Sequence, residues 1–139
     1  EGPVICLVDP TLINQVFNNL IKNAIESIET AIKHELISSK VEGLIKVEIT
    51  KMESTIFVKI IDNGIGLPKK KNQLFEPYVT SRESGIGLGL AIAKKIIDEH
   101  DGQLNLLDAE HFHSFNHRGA VAQVSLPIVG ESSEQISLF

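Results

Sequence analysis

Two asparagines four residues apart, Asn19 and Asn23, lie in a stretch whose apolar residues recur at helical spacing. Their side chains therefore share one stripe, at the margin of the apolar face. A carboxamide there can offer an oxygen to a hard cation or an amide to a phosphate. Two ordinary surface asparagines are the plain alternative, yet asparagine is an indifferent helix former, which favours a role for a mid-helix pair. A second group, Asp62-Asn63-Gly64-Ile65-Gly66, stands where a strand runs into a loop. Glycines at i and i+2 let a flat ligand approach the backbone, and the carboxylate ahead of them can accept from an exocyclic amine. A simple turn uses the same residue types. A third group, Gly85-Ile86-Gly87-Leu88-Gly89, opens a helix, where bare N–H groups bind anions. A flexible hinge is its plain reading. The spacing is not G-x-G-x-x-G, because Leu90 stands where the third glycine is needed, and no P-loop run occurs.

Other reactive residues weigh less. His111, His113 and His117 share a polar loop with spacing that reaches a zinc ion, but no further ligand accompanies them. His100 fits a helix end, and His34 a solvated connection. None makes a convincing phosphoacceptor. Cys6, the one cysteine, lies in an apolar run with no adjacent charge to favour a thiolate, so it reads as a small buried hydrophobe. The Lys69-Lys70-Lys71 cluster is a solvated loop, or a lure for a phosphate-bearing ligand or an acidic partner.

Elements must hold these groups. Val4 to Val8 reads as a short strand, after which Asp9-Pro10 supplies an N-cap and a proline at the first helical position. The spacing predicts a long amphipathic helix from Leu12 to about Ala31. Lys33 to Gly43 is a polar connection. Ile45 to Ile49 and Ile56 to Ile60 alternate strictly and form a hairpin with one face on a core. Pro68 to Ser84 carries no period and is a long loop, of the length that goes with function or mobility. Leu88 to His100 is a second amphipathic helix, stopped at Asp101-Gly102. Leu104 to Leu107 and Ala120 to Leu126 are strands around a polar loop, Asp108 to Arg118. The order implies an α+β fold, a two-layer α/β sandwich with a mixed, mostly antiparallel sheet and helices on one face.

Size and composition agree. The 139 residues suit one domain, residues 1–130, with a flexible tail at 131–139. A start directly at a strand suggests a piece of a longer chain. With 42% hydrophobic and 22% charged residues, the composition is neither fibrous nor disordered. A net charge of −5 argues against a general nucleic-acid partner. No apolar run approaches the ~20 residues of a membrane span, so no direct membrane contact by this domain is expected.

Taken in order, four of these segments resemble the boxes of the histidine-kinase catalytic domain, within the superfamily of gyrase, Hsp90 and MutL ATPases. Gln15 to Ala24 resembles the N box, and Asp62 to Leu67 the first glycine box. Leu74 to Arg82 resembles the F box, Gly85 to Leu90 the second glycine box, and Arg118-Gly119-Ala120 through Pro127 the closing segment. The resemblance covers Val4 to Pro127 and is nearest to sensor kinases of nitrogen regulation. It implies the Bergerat ATP-binding fold, with ATP as ligand. By it, Asp62 reads the adenine amine, with Gly64 and Gly66 along the base. Asn19 and Asn23 hold Mg²⁺ and meet the phosphates. Tyr78 touches the nucleotide, and Thr80, Ser81 and Arg82 belong to a loop over the triphosphate. Gly85, Gly87, Leu88 and Gly89 give backbone contacts to phosphate. Asn19 and Arg82 are the catalytic pair it implies.

Ile86 stands where the family often has threonine, and Glu26 where many relatives carry lysine. Arg82 replaces the common lysine but keeps its charge and adds a fork. ATP-hydrolysing relatives carry a glutamate at the position of Asn19, as general base for water, and an amide cannot take that proton. The implied activity is therefore transfer of the γ-phosphate to a histidine. That histidine would stand on a separate dimerisation domain, of a homodimeric kinase, and a response-regulator receiver would be the next partner. The implied location is the cytoplasm, as a domain of a membrane-anchored kinase. A clamp or chaperone ATPase, an anti-sigma-type serine kinase and a non-transferring nucleotide module are the rival readings.

Overall fold

In a computed structural model, residues 2–35, 42–78, 88–110 and 119–130 are described. Helix α1 spans Pro10–Lys33, and its start is built as the sequence predicts. The Asp9 carboxylate accepts from the N–H groups of Thr11 (2.9 Å) and Leu12 (3.1 Å), two donors that no helical turn can satisfy. Pro10 follows at the first helical position, where its missing N–H costs nothing. Val16, Leu20, Ala24, Ile28 and Ala31 form the buried face.

Strands β1 (Ile45–Met52) and β2 (Thr55–Asp62) pair antiparallel from Ile45 opposite Asp62 to Met52 opposite Thr55. Strands β3 (Gln103–Asp108) and β4 (Ala120–Pro127) complete a four-stranded sheet in the order β1-β2-β4-β3, with every pairing antiparallel. The sheet is therefore antiparallel throughout its described part, within the fold class the sequence implies. Register aligns one apolar face, with Val124 opposite both Val58 and Leu104, and Ala122 opposite Ile60 and Leu106. Helix α2 (Gly89–Glu99) and α1 share a single core with that face, centred on Leu20, Ile60, Ala93, Ile97, Leu104 and Val124. Each fully buried aliphatic side chain of this kind is worth about 1.5–3 kcal/mol.

Two expectations are corrected, and the Asp101-Gly102 stop of the second helix is resolved in detail. Val4 to Val8 forms no strand; among the described residues the segment is held by one backbone bond, from the Val129 N–H to the Ile5 carbonyl (3.0 Å). The loop after Pro68 contains a 3-10 turn, Lys71–Phe75, whose Phe75 packs against the core. At the Asp101-Gly102 stop of α2 the left-handed residue is Asp101 (φ 57°). The Asp101 N–H bonds Asp98 O (3.2 Å) and the Gly102 N–H bonds Ile97 O (3.0 Å), a Schellman ending. Gly102 is needed for another reason: a Cβ there would run into Ser125 O and meet Ile97 and Leu126 side chains at 3.0 Å. The tail 131–139 and the His111, His113 and His117 loop lie outside the described residues.

Candidate nucleotide-binding site

Three polar side chains leave α1 on one stripe, at Asn19, Asn23 and Ser27, four residues and about one turn apart. Asn19 Nδ2 donates to the carbonyl of Gly89 at 3.3 Å, joining mid-α1 to the first residue of α2. That bond occupies the amide nitrogen and leaves the carboxamide oxygen as the group suited to a cation. Asn23 lies beside it, with Oδ1 3.9 Å from where a Gly89 Cβ would stand. The two asparagines and the start of α2 at Gly89 thus come together. Helix α2 begins at Leu88 with no side-chain cap and no acidic residue in its first turn. Helix α1, by contrast, opens on the Asp9 cap, so the positive end of α2 is the one without a built-in anion.

At the far end of the stripe stands Asp62, the last residue of β2 and 6% exposed. A buried carboxylate requires hydrogen-bond donors. It accepts on Oδ1 from the Gly64 N–H (2.8 Å) and from the Ser27 hydroxyl (3.3 Å). Ser27 also accepts from the Ile65 N–H, at 3.0 Å to its hydroxyl and 3.2 Å to its carbonyl. Gly64 is fixed by this packing, because a Cβ would sit 2.5 Å from the Ser27 carbonyl carbon and 2.7 Å from the Ile28 nitrogen. Gly66 has φ 80°, a backbone conformation that favours glycine. Gly119 completes the corner, since its Cβ would collide with Asp62 O.

Asn63 is buried and looks the other way. Its side chain donates to Glu42 O (3.1 Å) and accepts from Leu44 N (2.8 Å), while its N–H reaches Leu44 O (3.3 Å). It pins the approach to β1 beside Asp62. Neither Ser27 nor Asn63 was singled out from the sequence. Extending the Asn19–Asn23 stripe by one more turn would have found Ser27.

Tyr78 is 74% exposed at φ 66°, at the end of the described F box. The rest of that box, Thr80, Ser81 and Arg82, lies outside the described residues, as do Gly85, Ile86 and Gly87. Phe75 is anchored to α2, where Lys94 Nζ stands 5.7 Å from its ring centroid and pairs with Asp98 at 3.1 Å. Among the described residues no group of histidine, cysteine, aspartate and glutamate could hold a metal.

A model of the histidine kinase-, DNA gyrase B- and HSP90-like ATPase family matches residues 8–130. The chain belongs to that family. Within it this ATPase-family domain is an ATP-binding catalytic domain of the sensor histidine kinase type. It is 41% identical over 127 residues to nitrogen regulation protein NtrY of Azorhizobium caulinodans, covering 91% of this chain and 15% of that protein. Sporulation kinase A of Bacillus subtilis is 34% identical over 120 residues, covering 86% of this chain and 17% of the kinase. The chain thus spans about a sixth of the length of these curated relatives. The catalytic domain of histidine kinase ThkA superposes with a TM-score of 0.66 at 31% identity, over 88% of this chain and 70% of that one. The mycobacterial sensor histidine kinase MprB gives 0.73 at 23% identity, over 88% and 74%, a likeness of fold. Among the described residues no helix is long and apolar enough to cross a membrane.

Proposed function

We propose that this domain binds Mg·ATP along the α1 stripe and presents the γ-phosphate to a histidine on a separate domain of a homodimeric kinase. The observation that carries this is the convergence of Asn19 and Asn23 on Gly89, at the start of α2, with Asp62 held two turns along the same helix. Asp62 would accept from the adenine amine, with the base lying along the backbone of Gly64 and Gly66. The N–H groups at Leu88-Gly89, with those of Gly85 and Gly87, would hold phosphate oxygens. Tyr78, Thr80 and Ser81 would close over the triphosphate. Asn19 and Asn23 fit a magnesium ion as carboxamide oxygen donors that leave room for water ligands. Such an ion neutralises charge on the phosphate oxygens when bound.

What this chain's residues add is position and charge. Asn19, tied to Gly89, keeps α1 and the helix start in register. Arg82 would stabilise charge on the transferring phosphoryl with a planar fork. An amide at residue 19 cannot accept a proton from water, which favours transfer over hydrolysis. Likeness to a nitrogen regulation protein supports a kinase that controls nitrogen metabolism through a response-regulator receiver. The cytoplasmic side of a membrane, where ATP is available, is the location that fits.

The test supplies γ-labelled Mg·ATP and the histidine-bearing domain encoded beside this one. Acid-labile, base-stable label on that domain is expected, and it should vanish with Asn19→Ala. Label on serine, or phosphate release without labelled protein, would overturn the reading.

A further inference from the structure

We propose that Ser27 is a positioning residue that sets base specificity, by fixing the Asp62 carboxylate as a pure hydrogen-bond acceptor. This rests on the reading of Asp62 as the base-contacting group. A hydroxyl inside a helix ordinarily bonds back to a carbonyl four residues earlier. Thr30, in the next turn, does so, donating to Glu26 O at 2.7 Å. Ser27 turns away from its own helix to the end of β2 instead. It accepts from the Ile65 N–H at 3.0 Å, and its single hydrogen goes to Asp62 Oδ1 at 3.3 Å.

The relay has one direction, from Ile65 N–H through the Ser27 hydroxyl to Asp62. With the Gly64 N–H arriving at 2.8 Å, two donors converge on one carboxylate oxygen. That fixes the plane of the carboxylate, with Oδ1 taken up by its two donors. Any ligand group meeting it must then donate, as an exocyclic amine does and a ring carbonyl does not. The 2.5 Å separation between a Gly64 Cβ and the Ser27 carbonyl carbon shows how closely the two backbones lie. Residue 27 must therefore be small, and alanine would fill the same space. What serine adds is the hydrogen bond.

The test compares Mg·ATP with the Mg complex of purine riboside triphosphate, which lacks the exocyclic amine, on the whole chain. In Ser27→Ala, ATP affinity should fall roughly tenfold while the amine-free analogue changes by less than about twofold. The preference for ATP would then collapse. A role in packing alone would weaken both nucleotides equally, and equal loss, or no loss, overturns the proposal. Ser27→Cys, a weak donor of similar size, should give an intermediate preference, and it decides the matter should the alanine variant not fold. Asp62→Asn separates the two levels of inference. Should it leave the wild-type preference intact, the base-contact reading fails. Should it abolish the preference while Ser27→Ala retains it, the role of Ser27 alone fails.

Discussion

At the scale of single residues, site glycines that look alike in sequence do different work. Gly64 and Gly119 are required by the fold, because a side chain at either would strike Ser27 or Asp62 backbone. Gly89 is not: an added Cβ would lie 3.9 Å from its nearest neighbours, both in the asparagine pair, an ordinary contact. Alanine is also the better helix residue, by up to ~1 kcal/mol in a helix interior. Gly89→Ala should therefore melt at or above the wild-type temperature, yet bind Mg·ATP roughly tenfold more weakly if phosphate approaches there. Gly64→Ala should instead destabilise the fold by about 1–3 kcal/mol, read by denaturant titration. A Gly89→Ala variant with unchanged affinity would place the phosphates elsewhere. Asn19 and Asn23 stood out because asparagine is unusual in mid-helix, whereas Asp62, an ordinary turn residue by type, stood out only through the resemblance to the first glycine box. Ser27 did not stand out, since a helical serine is common and only the tertiary fold shows that its hydroxyl leaves its own helix.

At the scale of elements, the ends of the helices were legible and the division of labour inside them was not. Asp9-Pro10 states the start of α1 outright, because both residues act within the first turn. Asp101-Gly102 marks the end of α2 equally well, but which residue turns left-handed depends on β4. Gly102 is held under Ser125 O, so the left-handed position falls one residue earlier, on Asp101. A non-glycine residue is strained there, by about 1–2 kcal/mol in the general case. Asp101→Gly should accordingly raise stability, by about 0.5–1 kcal/mol after the added freedom of the unfolded chain. Gly102→Ala should lower it by about 1–3 kcal/mol through overpacking against β4. Thermal melts of the two single variants check both signs. A reversal of the two would mean that glycine, not aspartate, carries the turn.

At the scale of the whole molecule, alternation fixes faces, while partners come only from the fold. Val4 to Val8 shows this. Cys6 and Val8 pack on the core while Ile5 and Leu7 are 67% and 87% exposed, which is the alternation of a strand. Yet a strand needs a ladder, and among the described residues the segment finds one backbone bond, to Val129 beyond β4. Docking of this segment is therefore a local equilibrium that can open without global unfolding. Cys6 reports it, because burial pushes its thiol above the ordinary range. A raised thiol is a stabilising contribution present below the unfolded thiol's pKa and lost as pH rises through the folded value. Alkylation by iodoacetamide near pH 8 should consequently be slower in the folded chain than in urea, and the gap should narrow toward alkaline pH. Val129→Pro removes the N–H that holds Ile5. If that bond is worth about 1 kcal/mol, the variant should speed alkylation roughly fivefold. Its melting temperature should stay near that of the wild type, since the core of Leu20, Ile60 and Ile97 is untouched. An alkylation rate insensitive to Val129→Pro would mean that packing of Cys6 and Val8 alone holds the segment down.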